Sequence, residues 1–167
     1  MIVLDQALKN NSYFDFVNTN YHMHDNGYTA NVTGIGFKFA NHRYTYAFMG
    51  DAYMSQKYYA HSASDLGYHY NLAFGNLKGN FLFSVIQLLE TDRYDPNDMG
   101  YNDRNNKFDN VLALNYSVYE PFGKFLDATN KIQFEYDCLY EDFKYNVFYI
   151  SGESEMTTRK HLTIGAS

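Results

Sequence analysis

Residues 131–140 show the clearest alternation of side-chain type in the chain. Apolar side chains occupy every second position, at Ile132, Phe134 and Tyr136, and charged or amide side chains occupy the positions between them. Because the side chains of an extended strand point alternately to its two sides, this pattern predicts a strand with one apolar and one polar side. Residues 68–75 and 112–118 repeat the pattern. The chain is therefore predicted to form a sheet with one apolar face.

The same pattern, followed along the chain, predicts an all-β fold: an antiparallel up-and-down meander of about eight strands. Residues 81–89 are apolar at nearly every position and also fit a buried helix, but their β-branched and aromatic content favours a strand. Around Gly34 and Gly36 the apolar positions change parity, which predicts a β-bulge or a glycine bend. The predicted strands are residues 12–22, 28–39, 43–51, 68–75, 81–89, 108–119, 131–140 and 147–154.

Composition bears on what the apolar face contacts. The 167-residue chain is 46% hydrophobic and 19% aromatic, with 18 Tyr, 14 Phe and no Trp, and its mean hydropathy is -0.49. No stretch approaches the roughly 18 to 20 consecutive apolar residues of a membrane helix. Aromatic-rich alternating strands in a chain that is hydrophilic on average are typical of a transmembrane β-barrel. The alternative is a soluble antiparallel β-sandwich, whose strands alternate in the same way.

The predicted connections alternate between long and short, as they do in bacterial outer-membrane barrels. The longest follow the third and fifth strands, and short turns follow the second and fourth. The edge predicted to face the exterior carries residues 22–27, 55–67, 91–107 and 141–146. The edge predicted to face the periplasm carries Asn41 and residues 76–80 and 120–130.

Charge and motif content exclude several classes of function. The formal net charge is -6, the sequence pI is about 5.4 and the basic residues are scattered, so no electrostatic footprint for nucleic acid is present. Cys138, the only cysteine, cannot form an intrachain disulfide. The sequence has no Ser/His/Asp or Cys/His arrangement, phosphate loop or zinc spacing, and Glu135, Asp137, Glu141 and Asp142 fit a polar lumen wall better than a glycosidase pair. We expect no enzymatic activity, no cofactor and no nucleic-acid partner.

Three short motifs carry a family resemblance. They are Gly-Asn-Phe at 79–81, Tyr-Asp-Pro-Asn-Asp-Met-Gly at 94–100 and Tyr-Glu-Pro-Phe-Gly-Lys-Phe at 119–125. With them, most of the chain resembles the barrel domain that follows a carbohydrate-binding family 9-like module in surface proteins of the Bacteroidota. The resemblance implies that the parent protein lies in the bacterial outer membrane. It also implies carbohydrate as a partner through an N-terminal module outside this sequence.

Alternation along the strands assigns residues to the lipid and to the lumen of the predicted barrel. The predicted lipid-facing residues are Tyr70, Leu72, Phe74, Leu112, Leu114, Tyr116, Ile132, Phe134 and Tyr136. The predicted lumen-facing residues are His69, Asn71, Asn115, Lys131, Gln133, Glu135 and Asp137. On this interpretation the lipid bilayer is a partner of the chain.

The polar loop after residue 90 is the candidate calcium site. Asp95, Asn97, Asp98 and Asp103 offer oxygen ligands of the kind that calcium prefers, but the EF-hand spacing counted from Asp95 fails at positions 99 and 106. A structural turn explains the same residues, because Pro96 fixes φ and the Asp and Asn side chains can accept hydrogen bonds from nearby amides. We expect Asp95, Asn97, Asp98 and Gly100 to form an ordered loop at the exterior rim that needs no metal.

A second polar cluster, His22, His24 and Asp25, has imidazoles that suit a transition metal. Its sequence context supplies no third ligand, and a solvated turn explains it better than a metal site does. We therefore predict no metal site in the chain.

These observations predict a non-enzymatic outer-membrane β-barrel domain over residues 1–167 that anchors a surface module, passes a solute, or does both. We expect the sequence to be a piece of a longer barrel, interrupted at both ends. The alternative function is a soluble carbohydrate-binding β-sandwich in which tyrosines serve as sugar platforms.

Overall fold

The computed structural model describes residues 1–22, 27–60, 62–98, 100, 102 and 104–167. A 3-10 turn, Glu141–Phe143, lies between the eighth and ninth of ten strands. In this described part of the chain, no helix has the length and hydrophobicity needed to cross a bilayer. The strands are β1 (Ile2–Leu8), β2 (Ser12–His22), β3 (Tyr28–Ala40), β4 (Tyr46–Tyr59), β5 (Asp65–Asn76), β6 (Phe81–Glu90), β7 (Lys107–Val118), β8 (Phe125–Cys138), β9 (Tyr145–Thr158) and β10 (Thr163–Ala166).

The ten strands lie side by side in chain order in one sheet, and each is antiparallel to the next. This arrangement confirms the predicted all-β meander, and β6 confirms that residues 81–89 form a strand. The described residues form ten strands rather than about eight, because the prediction omits β1 and does not count the short alternation at Leu162 and Ile164, which overlaps β10. Among the described residues these two strands do not pair with each other, so the sheet is open.

Two strands extend into segments that the sequence analysis assigns to connections. β4 continues to Tyr59 although residues 55–67 are predicted as a loop, and β8 begins at Phe125 inside the predicted turn 120–130. Both extensions carry polar side chains on the polar side of the sheet, so their composition resembles that of a loop. At its other end β4 begins at Tyr46 rather than at residue 43, because Tyr44 has a turn conformation with a φ of 51°.

The predicted β-bulge at Gly34 and Gly36 is wrong. β3 pairs with β4 residue by residue over its whole length, without a register shift. The two glycines instead make room for neighbouring side chains. A Cβ atom on Gly34 would meet the ring of Tyr53, and one on Gly36 would meet the carboxylate of Asp15. The change of parity means that the apolar residues of β3 lie on one face of the sheet in the first half of the strand and on the other face in the second half.

The sheet is a single layer with little enclosed core. Its accessible surface is 11263 Å², whereas a compact monomer of 19.5 kDa exposes roughly 8,500 Å². Among the described residues, no large side chain is fully buried. The buried apolar residues are few and mostly small: Ala30, Ala47, Tyr94, Ala128 and Cys138. The fold taken alone therefore leaves a large apolar surface uncovered.

Candidate functional site

The two faces of the sheet differ completely in charge. The strand registers place every Asp, Glu and Lys of the ten strands on one side, which we call the charged face. The other side, which we call the apolar face, has none of them among the described residues. Carboxylates outnumber lysines by more than two to one on the charged face: Asp5, Asp15, Lys38, Asp51, Lys57, Asp65, Glu90, Lys107, Asp109, Asp127, Lys131, Glu135, Asp137, Glu153 and Glu155.

The structure places all sixteen residues assigned to lipid or lumen in two consistent groups. The nine predicted lipid-facing residues share the apolar face, and the seven predicted lumen-facing residues share the charged face. On the apolar face, Phe74, Tyr116 and Ile132 are each between 45% and 49% exposed. The grouping follows from the register alone. What each face contacts in the cell stays a prediction.

Aromatic rings line the apolar face next to the short turns, the edge at which β3, β5 and β7 end. Phe37 lies 5.3 Å from Phe39 and 5.2 Å from Phe48, measured between ring centroids. Phe74 continues the series, 6.2 Å from Tyr46 and 5.9 Å from Phe83. Phe81 and Tyr116 extend it, since they are direct partners in the β6–β7 register. We call these residues the lower aromatic row.

A second set of aromatic residues lies on the apolar face at the opposite edge, where β4, β6 and β8 end. This upper aromatic row comprises Tyr58, Tyr68, Phe108, Tyr136 and Phe148, on β4, β5, β7, β8 and β9. Smaller aliphatic side chains lie between the two rows, including Ile35, Ala52, Leu72, Val85 and Leu112. The connection after β6 is long, but those after β4 and β8 span residues 60–64 and 139–144, so the predicted long connection after the third predicted strand is wrong.

Both rows run obliquely across the sheet in the same direction. Following paired residues from Phe39 on β3 across four strands leads to Leu112 on β7. The lower row reaches β7 at Tyr116, four residues closer to the edge at which β3, β5 and β7 end. From Tyr58 on β4 to Phe148 on β9, the upper row drops eight residues over five steps. With about 3.4 Å per residue and about 4.8 Å between strands, these slopes correspond to strands tilted by about 35° and about 50° from the perpendicular to the rows. The strands of transmembrane barrels are tilted by about 35–45°.

The charged face holds a chain of polar side-chain contacts across four strands, at the edge where β4 and β6 end. His69 Nε2 lies 3.1 Å from an Asp51 oxygen, and His69 Nδ1 lies 3.0 Å from an oxygen of the buried Glu90. The other Glu90 oxygen lies 3.4 Å from Lys107 Nζ. These contacts link β4, β5, β6 and β7 on the charged face. The loop between β6 and β7 packs against them.

The loop between β6 and β7 folds back over this part of the charged face. Tyr94 is 8% exposed, and its ring stacks on that of His69 with 5.4 Å between the centroids. The backbone of the loop approaches β5 so closely at Gly67 that a Cβ atom there would meet the backbone of Tyr94. Ser55 Oγ of β4 accepts a hydrogen bond from the Asp95 amide at 3.0 Å. Residues 91–98 therefore form a segment docked on the charged face.

Lys57 is the main electrostatic contact between this segment and the sheet. Its ammonium lies 2.8 Å from Asp95 Oδ2 and 3.0 Å from Asp98 Oδ2, and its side chain is 17% exposed. Tyr28 of β3 adds a hydrogen bond from its hydroxyl to Asp98 at 2.7 Å. One lysine thus bridges two carboxylates of the loop.

Protonation of the segment follows from these contacts. Partial burial raises the pKa of Asp95, but the hydrogen bonds from Lys57 and Asn97 outweigh it and hold the pKa below its usual value. Burial likewise raises the pKa of Asp98, and the Tyr28 hydroxyl and the charge of Lys57 reverse that shift. Burial, with Glu90 nearby, raises the pKa of Tyr94 to about 12. At neutral pH Asp95 and Asp98 are therefore carboxylates and Tyr94 is a neutral phenol.

Hydrogen bonds within the loop follow the turn chemistry expected from its sequence. Asp95 Oδ1 accepts from the Asn97 amide at 3.1 Å, and Asn97 Oδ1 accepts from the Asn102 amide at 2.7 Å. The Gly100 amide donates to the carbonyl of Pro96 at 3.0 Å. The loop contacts the sheet more than the sequence suggests, since Tyr94 and Asp95 pack on β4 and β5 rather than on neighbouring loops.

The metal candidates gain no support from the described residues, which contain no group of three or more His, Cys, Asp or Glu side chains placed to hold an ion. Met99 and Asp103, which belong to the calcium candidate, lie outside the described residues, as do Tyr101 of the same loop and His24 and Asp25 of the histidine cluster. His22 Nδ1 lies 2.9 Å from Thr29 Oγ1 on the adjacent strand.

Sequence reasoning missed Lys57, Glu90 and Asp51 as parts of the site. Lys57 lay inside a predicted connection, and Glu90 lay one residue beyond the predicted strand 81–89. A signal was available for Asp51, because it is a single charged residue between the non-polar neighbours Gly50 and Ala52. Such residues mark the polar side of a half-buried strand.

The fold and the two faces define a single-sheet, all-β class of protein with one uncharged face. Within that class the chain belongs to the family described as "Domain of unknown function (DUF5916)", whose model matches residues 1–167. Comparison with curated proteins and with solved structures finds no match to the chain. Membership establishes the family but no activity, no membrane location and no link to sugar-binding modules.

Proposed function

We propose that this chain forms part of the wall of a bacterial outer-membrane β-barrel. The observation that carries the proposal is the apolar face, where the described strand residues include no Asp, Glu, Lys or Arg and two oblique aromatic rows flank an aliphatic band. Aromatic girdles at the two membrane interfaces, with an apolar band between them, are characteristic of transmembrane barrels. A soluble sheet needs no such girdles.

Dimensions support the same assignment. β3 to β9 are 10 to 14 residues long, and a tilted transmembrane strand needs about 9–11 residues. On β7, Phe108 and Tyr116 belong to opposite aromatic rows and are eight positions apart. That separation spans about 27 Å along the strand and about 20 Å perpendicular to a membrane at a tilt of about 40°, close to the band of about 25 Å in known barrels.

Energetics require that the apolar face be covered. Each large apolar side chain left in water forgoes about 1.5 to 3 kcal/mol relative to full burial, and exposed side chains of this kind occur along β1 to β10. The charged face, with its excess of carboxylates, is suited to a water-filled lumen. In lipid the free backbone groups of β1 and β10 must also be paired, so the proposal requires further strands to complete the barrel.

We extend this proposal to the biological role of the chain. A barrel wall of this kind anchors a surface module, provides a hydrophilic path for a solute, or does both. The resemblance of its motifs to Bacteroidota surface proteins favours an outer-membrane location, with carbohydrate reached through a separate module. The docked segment over the charged face would narrow a lumen at its exterior end. We propose no catalytic reaction for the chain.

The test is the behaviour of the full chain with and without a membrane mimic. Refolded into detergent micelles or lipid vesicles, it should be rich in β-structure and float with the lipid in a density gradient. Refolded in buffer alone, it should aggregate through the apolar face. A soluble, monomeric and folded chain at high concentration without detergent would overturn the proposal and favour the carbohydrate-binding β-sandwich.

A further inference from the structure

A polar pocket of about 370 Å³ lies between the docked segment and the outer ends of β4 and β5. Tyr59 and Asp65 form one wall, and their side chains share a hydrogen bond of 3.2 Å from the Tyr59 hydroxyl. Loop residues form the opposite wall, among them Asp92, Asn102 and Asn105. Its volume falls within the range of about 300–1,000 Å³ found for small-molecule sites.

Internal hydrogen bonds hold the loop wall in place. The side-chain nitrogen of Asn105 donates a hydrogen bond to the backbone carbonyl oxygen of Asp92 at 2.6 Å, which ties the two ends of the loop together. Asn102 is fixed through its backbone amide, which donates to Asn97, and through its side-chain oxygen, which accepts from the Arg104 amide. These hydrogen bonds position Asn102 and Asn105 in the wall of the pocket.

Several polar groups in the pocket remain available to a ligand. Within the described residues, the side-chain nitrogen of Asn102, the side-chain oxygen of Asn105 and the carboxylate of Asp92 have no hydrogen-bond partner in the protein. The first is a donor and the other two are acceptors. This mixture suits adjacent hydroxyl groups, because each hydroxyl both donates and accepts a hydrogen bond. The half-exposed ring of Tyr59 adds an apolar surface beside them.

The charges of the pocket argue against an ionic ligand. Lys57 and Arg93 nearly balance Asp65, Asp92 and Asp95, and Lys57 is already paired with Asp95. An anion would meet the carboxylates, whereas a divalent cation would find no set of three described acidic or histidine ligands. A neutral molecule with many hydroxyl groups avoids both conflicts.

We propose that this pocket binds a neutral saccharide of one or two sugar rings. Asp92 and Asn105 accept hydrogen bonds from its hydroxyl groups, Asn102 donates to a hydroxyl or ring oxygen, and Tyr59 packs against a sugar face. The site belongs to this chain and is separate from any carbohydrate module that accompanies it. The inference does not depend on what covers the apolar face.

Titration of the folded full chain with defined sugars tests this proposal. The chain is refolded in a zwitterionic detergent, because alkyl-glycoside detergents would themselves compete. Glucose, galactose, N-acetylglucosamine and maltose are the probes, followed by calorimetry and by saturation-transfer NMR. We expect at least one sugar to bind saturably. Asp92→Asn and Asn102→Ala should each weaken that binding about tenfold, and the matched control Asp142→Asn, on the same edge but outside the pocket, should not.

Three results would overturn the proposal: no saturable binding of any of the four sugars, sugar binding that both pocket variants leave unchanged, or calcium binding that Asp92→Asn abolishes. Circular dichroism of each variant confirms that it folds, and Asn102→Asp provides a second pocket variant if Asn102→Ala does not. Flotation with lipid is measured separately on the same protein. Failure of sugar binding is thereby distinguished from failure of the barrel proposal.

Discussion

Lys57 is the residue on which docking of the 91–98 segment depends most. Its ammonium is shielded from water and shared by Asp95 and Asp98. Lys57→Met preserves much of the side-chain volume but leaves the two carboxylates without their cation. We expect docking of the segment to weaken by about 1 to 3 kcal/mol, the cost of leaving a charged hydrogen-bonding group unsatisfied. Amide hydrogen exchange across residues 91–98 should rise by a corresponding factor.

Lys131→Met is the matched control for that substitution. Lys131 pairs with Glu153 at 2.9 Å, but both side chains are more than half exposed. Exposed ion pairs contribute about 0–1 kcal/mol, so exchange in the 91–98 segment should not change. Equal effects of the two lysine substitutions would show that Lys57 does not hold the loop.

The same two carboxylates predict how docking depends on pH. Their pKa values are lowered in the docked state, so the stabilisation they provide is complete above the ordinary carboxyl pKa of about 3.9 and is lost as the pH falls through the lowered values. We expect hydrogen exchange in the segment, corrected for its intrinsic pH dependence, to be constant from pH 7 to 5 and to increase below pH 4. Loss of protection already between pH 7 and 5 would assign docking to a different group.

At the scale of elements, β7 and β8 were predictable because each alternates cleanly between apolar and polar residues over most of its length. The outer half of β4 was not, because Ser55, Gln56 and Lys57 are polar at three successive positions and look like a loop. The docked segment was beyond prediction for a different reason. Its position depends on the contact between Lys57 and Asp95, which are 38 residues apart, and no local pattern encodes such a contact.

Adjacent positions on β8 provide a test of the two faces. Phe134 lies on the apolar face and Glu135 on the charged face. An arginine on the lipid side of a barrel costs about 2–4 kcal/mol at the midplane, whereas lumen substitutions are tolerated. Phe134→Arg should therefore reduce the yield of folding into lipid vesicles strongly, and Glu135→Gln should leave it near that of the parent chain. Similar yields for the two variants would contradict the assignment of faces.

At the scale of the whole molecule, the sheet separates charge from apolar surface more completely than any single strand suggests. The sequence was sufficient to predict an antiparallel meander and to divide sixteen residues between two faces. It could not predict that the aromatic residues form two oblique rows, because that depends on the register of strands β3 to β9 taken together. The rows are the strongest support for the proposal that the apolar face contacts a bilayer.

The central claim, that the apolar face contacts lipid, is tested most directly by spin-label accessibility along β8. In a Cys138→Ser background, single cysteines replace each residue from Lys131 to Asp137 in turn, and the labelled chain is folded into lipid vesicles. Collision with oxygen, which concentrates in the bilayer, should be greatest at positions 132, 134 and 136. Collision with a water-soluble nickel complex should be greatest at positions 131, 133, 135 and 137. Nickel accessibility that is equally high at Phe134 and Glu135 would show that both faces meet water and would contradict the account.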